Sequence, residues 1–120
     1  MRLGFTGHRN AHCDPMALHQ LMAEHPGAVW VHGGAAGFDR QVSTFARAHG
    51  LTEEVIRPDY RTHHPKRAPL VRNEQIVGSV ERLVACWDGR KTGGTFYTIN
   101  YARRVGVPVK VLRPAQHQEG

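Results

Sequence analysis

The stretch Arg82–Val105, RLVACWDGRKTGGTFYTINYARRV, decides the fold class. It opens with a short continuous apolar run, 83–87, which is typical of a strand covered on both faces. A turn with three glycines and two cations follows, and Thr95 can then serve as the N-cap of a helix. The apolar positions of that helix recur at helical spacing and are expected to face inward: Phe96, Ile99, Ala102 and Val105. Gly106 suits the position just past its end. The stretch predicts a strand–turn–helix unit.

The turn of this unit has the chemistry of an anion site. Gly93 and Gly94 can adopt backbone angles closed to other residues, so successive N–H groups can point toward one place. A helix start adds unpaired N–H groups and a partial positive charge, and Arg90 and Lys91 add full charges. Such a turn can hold a phosphate or carboxylate, or it can connect strand and helix without a ligand. It is not the phosphate loop that ends in Gly-Lys-Ser/Thr, because Lys91 precedes the glycine pair.

Length and composition bound the class of protein. A chain of 120 residues is long enough for one domain with its own core, expected over residues 1–115, with 116–120 as a frayed tail. The two cysteines do not suggest a disulfide framework. No apolar run approaches the ~20 residues that span a bilayer, and no signal peptide is recognisable. We therefore expect a cytoplasmic protein with no membrane partner.

The charge of the chain points to an anionic partner. The formal net charge is +6, and thirteen of the sixteen cations are arginines, which favour planar contact with phosphate. A nucleotide, a nucleic acid or an acidic protein would each fit. Because the cations are scattered and form no basic tail, a localised anion site fits better than a surface that coats nucleic acid.

The remaining sequence alternates strands with helices. The expected strands are 2–6, 28–32, 54–56, 83–87 and 109–112. The expected helices begin near Asp14-Pro15, Phe38, Pro69 and Thr95. Five strands alternating with four helices predict a single-domain α/β fold with a Rossmann-like, doubly wound parallel sheet. Right-handed crossovers favour the strand order 3-2-1-4-5.

This strand order brings the glycine turns to one edge of the sheet. Ligands of such sheets bind at the carboxyl ends of the strands where the winding reverses, here between strands one and four. The turns 7–9 and 89–95 meet at that point, and the turn 33–37 lies one strand further along. His8 in the first turn can contact ligand or can be satisfied by backbone.

The helix that begins near Pro69 adds polar side chains to the same edge. Its buried face is predicted by Ile76 and Val77, and one turn earlier that face carries Arg72 and Asn73. An arginine and an asparagine aimed at the cleft can hold an anion or a base. Alternatively, Arg72 extends to solvent and Asn73 caps nearby backbone.

Four ordered motifs resemble the SLOG superfamily of Rossmann-like proteins, and the spacing is closest to its small YspA/YpsA-related branch. The motifs are Gly7-His8-Arg9, the segment 32–39, the segment 67–74 and Gly93-Gly94-Thr95. The likeness extends from about residue 2 to residue 112. The superfamily also includes DprA, which binds single-stranded DNA, the LOG phosphoribohydrolases of cytokinin nucleotides, and sensors of nucleotide-derived signals.

The resemblance implies a nucleotide pocket with defined walls. Gly33, Gly34 and Gly37 would form one wall, Arg72 and Asn73 would match an arginine–asparagine pair, and the turn 93–95 would bind phosphate. Asp39 would either contact ligand or act as a first-turn acid favoured by the helix dipole. The full set of expected ligand-binding residues is Gly7, His8, Arg9, Gly33, Gly34, Ala35, Gly37, Asp39, Arg72, Asn73, Lys91, Gly93, Gly94 and Thr95.

The same resemblance bears on catalysis. LOG enzymes place a catalytic glutamate three residues after the threonine of the phosphate turn, and this chain has Thr98 there. Glu74 and Asp88 are the nearest candidate carboxylates. We therefore expect binding of a nucleotide or nucleotide-derived small molecule, for sensing or sequestration. The alternatives are a nucleoside 5′-monophosphate phosphoribohydrolase like LOG and a single-stranded DNA binder like DprA.

Cofactor, metal and assembly complete the expectations. The histidine pairs and clusters lack the ligand spacing of known zinc sites, so no metal and no cofactor are expected. Tyr97 and Tyr101 lie one helical turn apart and can stack on a base or form an interface. On that basis we expect a homodimer.

Overall fold

Five strands alternate with four helices along residues 1–115, the part of the chain that the computed structural model describes. The strands are Arg2–Gly7 (β1), Val29–His32 (β2), Glu53–Val55 (β3), Arg82–Cys86 (β4) and Val109–Leu112 (β5). The helices are Pro15–Glu24 (α1), Phe38–Ala48 (α2), Ala68–Gly78 (α3) and Gly93–Val105 (α4). None of these helices is long and apolar enough to cross a membrane. The predicted tail, 116–120, lies outside the described residues.

The strands form one parallel sheet in the order β3-β2-β1-β4-β5, which confirms the predicted Rossmann-like topology. β1 and β4 are neighbours at the centre, and Gly7 at the end of β1 is in register with Cys86 at the end of β4. The loops after these two strands therefore leave the same edge of the sheet side by side.

Helices cover both faces of the sheet. On one face, α1 and α2 enclose an aromatic core in which the ring centroids of Phe5 and Trp30 lie 4.7 Å apart and those of Trp30 and Phe45 lie 5.4 Å apart. On the other face, α3 packs Ile76 against Val31. Burying side chains of this size stabilises the fold by roughly 1.5–3 kcal/mol each.

Gly4 in the middle of β1 allows α3 to lie close to the sheet. A Cβ on Gly4 would lie 3.0 Å from Val80 Cγ2 and 3.1 Å from Ile76 Cγ2, tighter than ordinary packing. This close packing of α3 on β1 fixes the position of the whole helix. Arg72, one turn before Ile76, consequently reaches the loop after β2.

The start and the inward face of α4 differ from the prediction. The helix begins at Gly93 with Thr92 as its N-cap, and Thr95 lies buried in the first turn, where it packs instead of capping. Val105 is 51% exposed. Each step of three residues rotates the side-chain direction by about 60° around the helix axis. Because Ile99 faces the core, Val105, two such steps later, points toward solvent. Gly106 ends the helix with φ 84°, as predicted.

Candidate anion-binding site

A cavity of about 660 Å³ opens at the carboxyl edge of the sheet, between the loops after β1 and β4. We call it the main cavity. Its volume lies within the roughly 300–1,000 Å³ of small-molecule sites. Its charged and polar side chains come from three connections and three helices: His8, Arg9, Asn10, Asp39, Lys66, Arg72, Asn73, Arg90, Thr92, Thr95 and Tyr97.

The N-terminus of α4 forms one wall of the main cavity. Gly93 has φ +88°, a conformation that residues with a side chain rarely adopt, and it turns the chain from the loop into the helix. Thr92 makes no side-chain capping bond, and the first turn of α4 contains no acidic residue. The first N–H groups of α4 therefore have no side-chain acceptor, and they carry the positive end of the helix dipole.

Arg72 and Asn73 form another wall of the main cavity, and both are buried. Arg72 Nη1 donates to the carbonyl oxygen of Gly33 at 2.6 Å, and Arg72 Nε donates to Asn73 Oδ1 at 2.7 Å. A guanidinium has five N–H donors, so three remain for a ligand. Burial lowers the pKa of Arg72, but an arginine stays protonated at neutral pH. The side chain is a fixed cation.

Gly33 makes room for that cation. A Cβ at this position would lie 2.8 Å from Arg72 Nε and closer still to the rest of the guanidinium. A larger residue would displace Arg72 from the loop. Gly33 therefore affects the main cavity indirectly. Because it has no side chain, Arg72 can lie against it.

Asp39 is the one carboxylate that lines the main cavity within residues 1–115, and its side chain is buried. Its Oδ2 atom accepts N–H groups from Gly33 and Ala35, each at 3.2 Å, whereas its Oδ1 atom is buried with no partner in the same part of the chain. Burial raises the pKa of Asp39, and the nearby His32, Arg72 and backbone N–H groups oppose this rise. Asp39 thus holds the loop after β2 in shape.

His8 connects the loop after β1 to the loop after β4. Its Nε2 atom lies 3.1 Å from Asp88 Oδ1 and 3.3 Å from the Asp88 nitrogen. Burial lowers the pKa of His8, which favours the neutral ring at pH 7. Hydrogen bonds from Arg90 lower the pKa of Asp88, with Arg90 Nη2 at 2.5 Å from Asp88 Oδ2. These contacts fix Arg90 at the rim of the main cavity.

Most of the expected ligand-binding residues line the main cavity: Gly7, His8, Arg9, Ala35, Asp39, Arg72, Asn73, Gly93, Gly94 and Thr95. Gly33 and Gly34 line a smaller neighbouring cavity. Gly37 lies behind the first loop, where a Cβ would be 2.6 Å from the His8 carbonyl oxygen. Lys91 is exposed and lines neither cavity, whereas its neighbour Arg90 lines the main one.

The candidate catalytic carboxylates and the glutamate-equivalent position lie outside the main cavity. Glu74 accepts a hydrogen bond from the Tyr97 hydroxyl, and Asp88 is paired with Arg90. Thr98 is buried and donates its hydroxyl hydrogen to the Gly94 carbonyl oxygen at 2.7 Å.

Sequence reasoning did not select five residues that line the cavity: Asn10, Lys66, Pro69, Leu70 and Thr92. Asn10 directly follows the Gly7-His8-Arg9 motif, a signal that would have included it. Lys66 stands in a long loop without periodicity, and only the folded path of that loop brings it to the site.

The balance of charge around the main cavity is positive. Its lining carries four cations, Arg9, Lys66, Arg72 and Arg90, against the single carboxylate of Asp39. A concave site with one dominant sign of charge attracts ligands of the opposite sign. Within residues 1–115, no three His, Cys, Asp or Glu side chains come together as a metal site would need.

Comparison with known families found a match. Residues 1–63 match the model of a family described as "YspA, cpYpsA-related SLOG family". The match covers just over half of the chain and includes β1, β2, the turn 7–9 and the loop 33–39. It confirms the resemblance found in the sequence. The comparison with curated proteins found no match.

Proposed function

The chain belongs to the YspA, cpYpsA-related SLOG family, and from that premise we propose that it binds a nucleotide or nucleotide-derived small molecule in the main cavity, as a sensor or a sequestering protein. One observation carries the proposal. The uncapped N-terminus of α4 and the buried Arg72–Asn73 pair line a single cavity with four cations.

The phosphate would bind at the start of α4. Helix N-termini bind anions because unpaired N–H groups and the helix dipole act together. Arg72 and Arg90 would add charge-assisted hydrogen bonds, which are about twice as strong as neutral ones. Space exists there, because a Cβ on Gly94 would have Asn73 Nδ2, at 3.9 Å, as its nearest contact.

The nucleoside part would occupy the rest of the main cavity. Asn10 and Asn73 offer both donors and acceptors, and Tyr97 offers a ring and a hydroxyl. A cavity of about 660 Å³ exceeds what a phosphate alone would fill. These groups suit a sugar and a base, whose edges carry hydroxyl, amino and carbonyl groups.

We propose binding without turnover. Cleavage of an N-glycosidic bond develops positive charge on the sugar ring, and an ionised carboxylate beside the ring stabilises it. Thr98 carries no charge and is engaged with Gly94, and neither Glu74 nor Asp88 lines the main cavity. The carboxylate that does line it, Asp39, is buried and accepts the N–H groups of Gly33 and Ala35, so it is engaged with the loop after β2.

Isothermal titration calorimetry with the nucleoside 5′-monophosphates of adenine, guanine, cytosine and uracil tests the proposal. We expect one of them to bind the unaltered protein, and Gly94→Val to abolish that binding with little change in melting temperature. Gly94 does not have a positive φ, contrary to the sequence prediction. The valine would therefore act through its side chain, which would fill the space at the helix start.

Gly78→Val is the matched control, because Gly78 is exposed in α3 with no atom near its missing Cβ. Arg72→Ala should weaken nucleotide binding by about 1.5–3 kcal/mol, the usual contribution of a hydrogen bond to a charged group. If no monophosphate binds, or if Gly94→Val and Gly78→Val bind alike, the proposed site is wrong.

A further inference from the structure

A second cavity of about 430 Å³ adjoins the main cavity on the other side of the Arg72 side chain. We call it the side cavity. Four residues line both cavities, which places the two next to each other: Arg9, Ala35, Pro69 and Arg72. The side cavity extends over the Gly33-Gly34 backbone toward the loop that follows β3.

The side cavity has cations of its own. Arg9, Arg57 and Arg72 line it, and no aspartate or glutamate does. None of these three arginines forms an ion pair with a residue between positions 1 and 115. Three guanidinium groups without an ion-pair partner in this part of the chain give the concave surface the donors that an anion needs, because each presents N–H groups in a planar fork.

Arg57 is positioned by the sheet and is not carried on a free loop. It follows β3 by two residues, and the N–H of the intervening Ile56 donates to the His32 carbonyl oxygen at 2.9 Å. Its guanidinium lies over Gly34, where a Cβ would be 2.9 Å from Arg57 Nη1. Gly34 has φ +72°, so the backbone at this point also suits glycine.

We propose that the side cavity is a second anion subsite, so that the ligand of this protein carries two phosphate groups separated by a ribose. This deepens the proposed function and rests on it. One phosphate binds at the start of α4, the other binds at Arg57, and Arg72 between them contacts both. The two phosphates of a diphosphate share a single bridging oxygen and so lie closer together than two phosphates on a ribose.

Two classes of compound have this chemistry, nucleoside 3′,5′-bisphosphates and 5′-phosphorylated dinucleotides. In the dinucleotide the second base would extend toward Tyr60, a ring at the side cavity that is 55% exposed. Aromatic side chains in this situation stack on bases. Tyr60→Ala would weaken a dinucleotide and leave the bisphosphate unchanged, which separates the two sources of the second phosphate.

The test is a titration series built on the nucleoside that binds most tightly as its 5′-monophosphate. The ligands are the 5′-monophosphate, the 5′-diphosphate, the 3′,5′-bisphosphate and the 5′-phosphorylated dinucleotide. The variant is Arg57→Ala, and the matched control is Arg61→Ala, an exposed arginine of the same loop that lines neither cavity. Both variants remove one positive charge.

We expect the unaltered protein to bind the 3′,5′-bisphosphate or the dinucleotide at least about tenfold more tightly than the monophosphate, as one charged hydrogen bond would provide. Arg57→Ala should remove this advantage and leave monophosphate affinity within about twofold, whereas Arg61→Ala should retain it. Equal affinities for mono- and bisphosphate, an advantage shared by the diphosphate, or equal effects of the two variants would overturn the second subsite. Failure of every nucleotide to bind would instead overturn the proposed function itself.

Discussion

Arg72 is the side chain that contacts both the loop after β2 and the neighbouring asparagine of α3. Two of its donors hold the Gly33 carbonyl oxygen and Asn73 Oδ1, so its orientation is fixed before a ligand arrives. Immobilising a free arginine on binding would cost about 0.5–1.5 kcal/mol. A side chain already held by the fold avoids much of that cost, which favours tight binding of a small anion.

The buried carboxyl of Asp39 leads to a prediction about stability and pH. Because its pKa in the folded state is raised above the ordinary 3.8, the folded state holds this proton more tightly than the unfolded state does. Stability therefore falls as pH rises from about 3.8 through the raised pKa, and the loss is complete above it. As pH rises, the free energy of unfolding of the unaltered protein should fall relative to that of the Asp39→Asn variant. Urea unfolding of both proteins at several pH values measures this difference.

Asp59→Asn is the control for this measurement. Asp59 is exposed and its pKa is lowered, chiefly by a hydrogen bond from Thr62, so its contribution is present above the ordinary pKa and is lost on acidification. As pH rises, the free energy of unfolding of the unaltered protein should increase relative to that of Asp59→Asn, which is the opposite direction. If both differences move the same way with pH, the folded state does not hold the Asp39 proton as described.

Turnover gives a second test at the scale of single residues. We expect incubation with nucleoside 5′-monophosphates and ADP-ribose to release no free base, because Asp39 is engaged with the loop after β2 and both Glu74 and Asp88 lie outside the main cavity. Chromatography over many equivalents of substrate is the measurement. Multiple turnovers that vanish in Asp39→Asn, Glu74→Gln or Asp88→Asn would replace the binding proposal with a hydrolase.

Individual side chains were predictable where a repeat pattern constrains them. Arg72 and Asn73 could be placed on the cleft side of α3 because they precede the apolar Ile76 and Val77 on the same face. The choice between Arg90 and Lys91 could not be made, because both lie in an irregular turn. Only the pairing of Arg90 with Asp88 decides which cation turns toward the main cavity.

At the scale of elements, α4 is a helix whose N-terminus has no side-chain cap and lines the main cavity; α2 and α3 also lack a side-chain cap. In α1 the N-cap Asp14 accepts the N–H of Met16, the usual way in which a helix start is satisfied. In α4 the N-cap Thr92 makes no such bond, and no acidic side chain offsets the dipole. An open helix start beside four cations costs some stability, and a bound anion would restore it.

We predict that Thr92→Asp makes the protein more stable and weakens its affinity for the ligand. An aspartate at the N-cap should raise the free energy of unfolding by about 0.5–1 kcal/mol, through a capping hydrogen bond and the helix dipole. Its negative charge should weaken binding of a nucleotide several-fold. Thermal unfolding and calorimetry on the same variant would measure both effects.

Thr52→Asp is the matched control, since it adds the same charge at an exposed position outside both cavities. It should leave affinity nearly unchanged. Nucleotide binding that is equally strong in Thr92→Asp would mean that the phosphate does not lie at the start of α4.

Element boundaries could be read from the sequence to within one or two residues, because apolar runs and helical spacing mark them. The start of α4 could not. Thr95 has the side chain of an N-cap, but two glycines before it leave the helix free to begin earlier. Tertiary packing then decides, and it buries Thr95 within the first turn.

At the scale of the whole molecule, the sheet order brings distant loops together, and this order could be predicted from the alternation of strands and helices. The side cavity could not be predicted. One of its walls is the segment between β3 and α3, which has no periodicity, and its path depends on contacts such as Ile56 N–H to the His32 carbonyl oxygen.

The expected homodimer stays a prediction. Its basis was a pair of exposed helix aromatics, yet Tyr97 is half-buried and bonded to Glu74, and Tyr101 is half-buried with Arg104 over its ring. These contacts occur within one chain. Light scattering showing a monomer at every protein concentration would reject the expected homodimer.

Salt dependence separates a nucleotide pocket from a surface for single-stranded DNA. A strand bound along many phosphates releases many counterions, so its affinity falls with a log–log slope of about −0.7 per phosphate contacted. Five of the sixteen cations line the two adjoining cavities at one edge of the sheet, which offer room for one or two phosphates: Arg9, Arg57, Lys66, Arg72 and Arg90. We therefore expect a slope between about −0.7 and −1.5 for the tightest nucleotide, measured by titration from low to physiological salt.

A single-stranded oligonucleotide should bind no more tightly than the dinucleotide, because nucleotides beyond the second would lie outside both cavities. Tighter binding of longer strands with a steeper slope would show that the four cations of the main cavity belong to a longer nucleic-acid path.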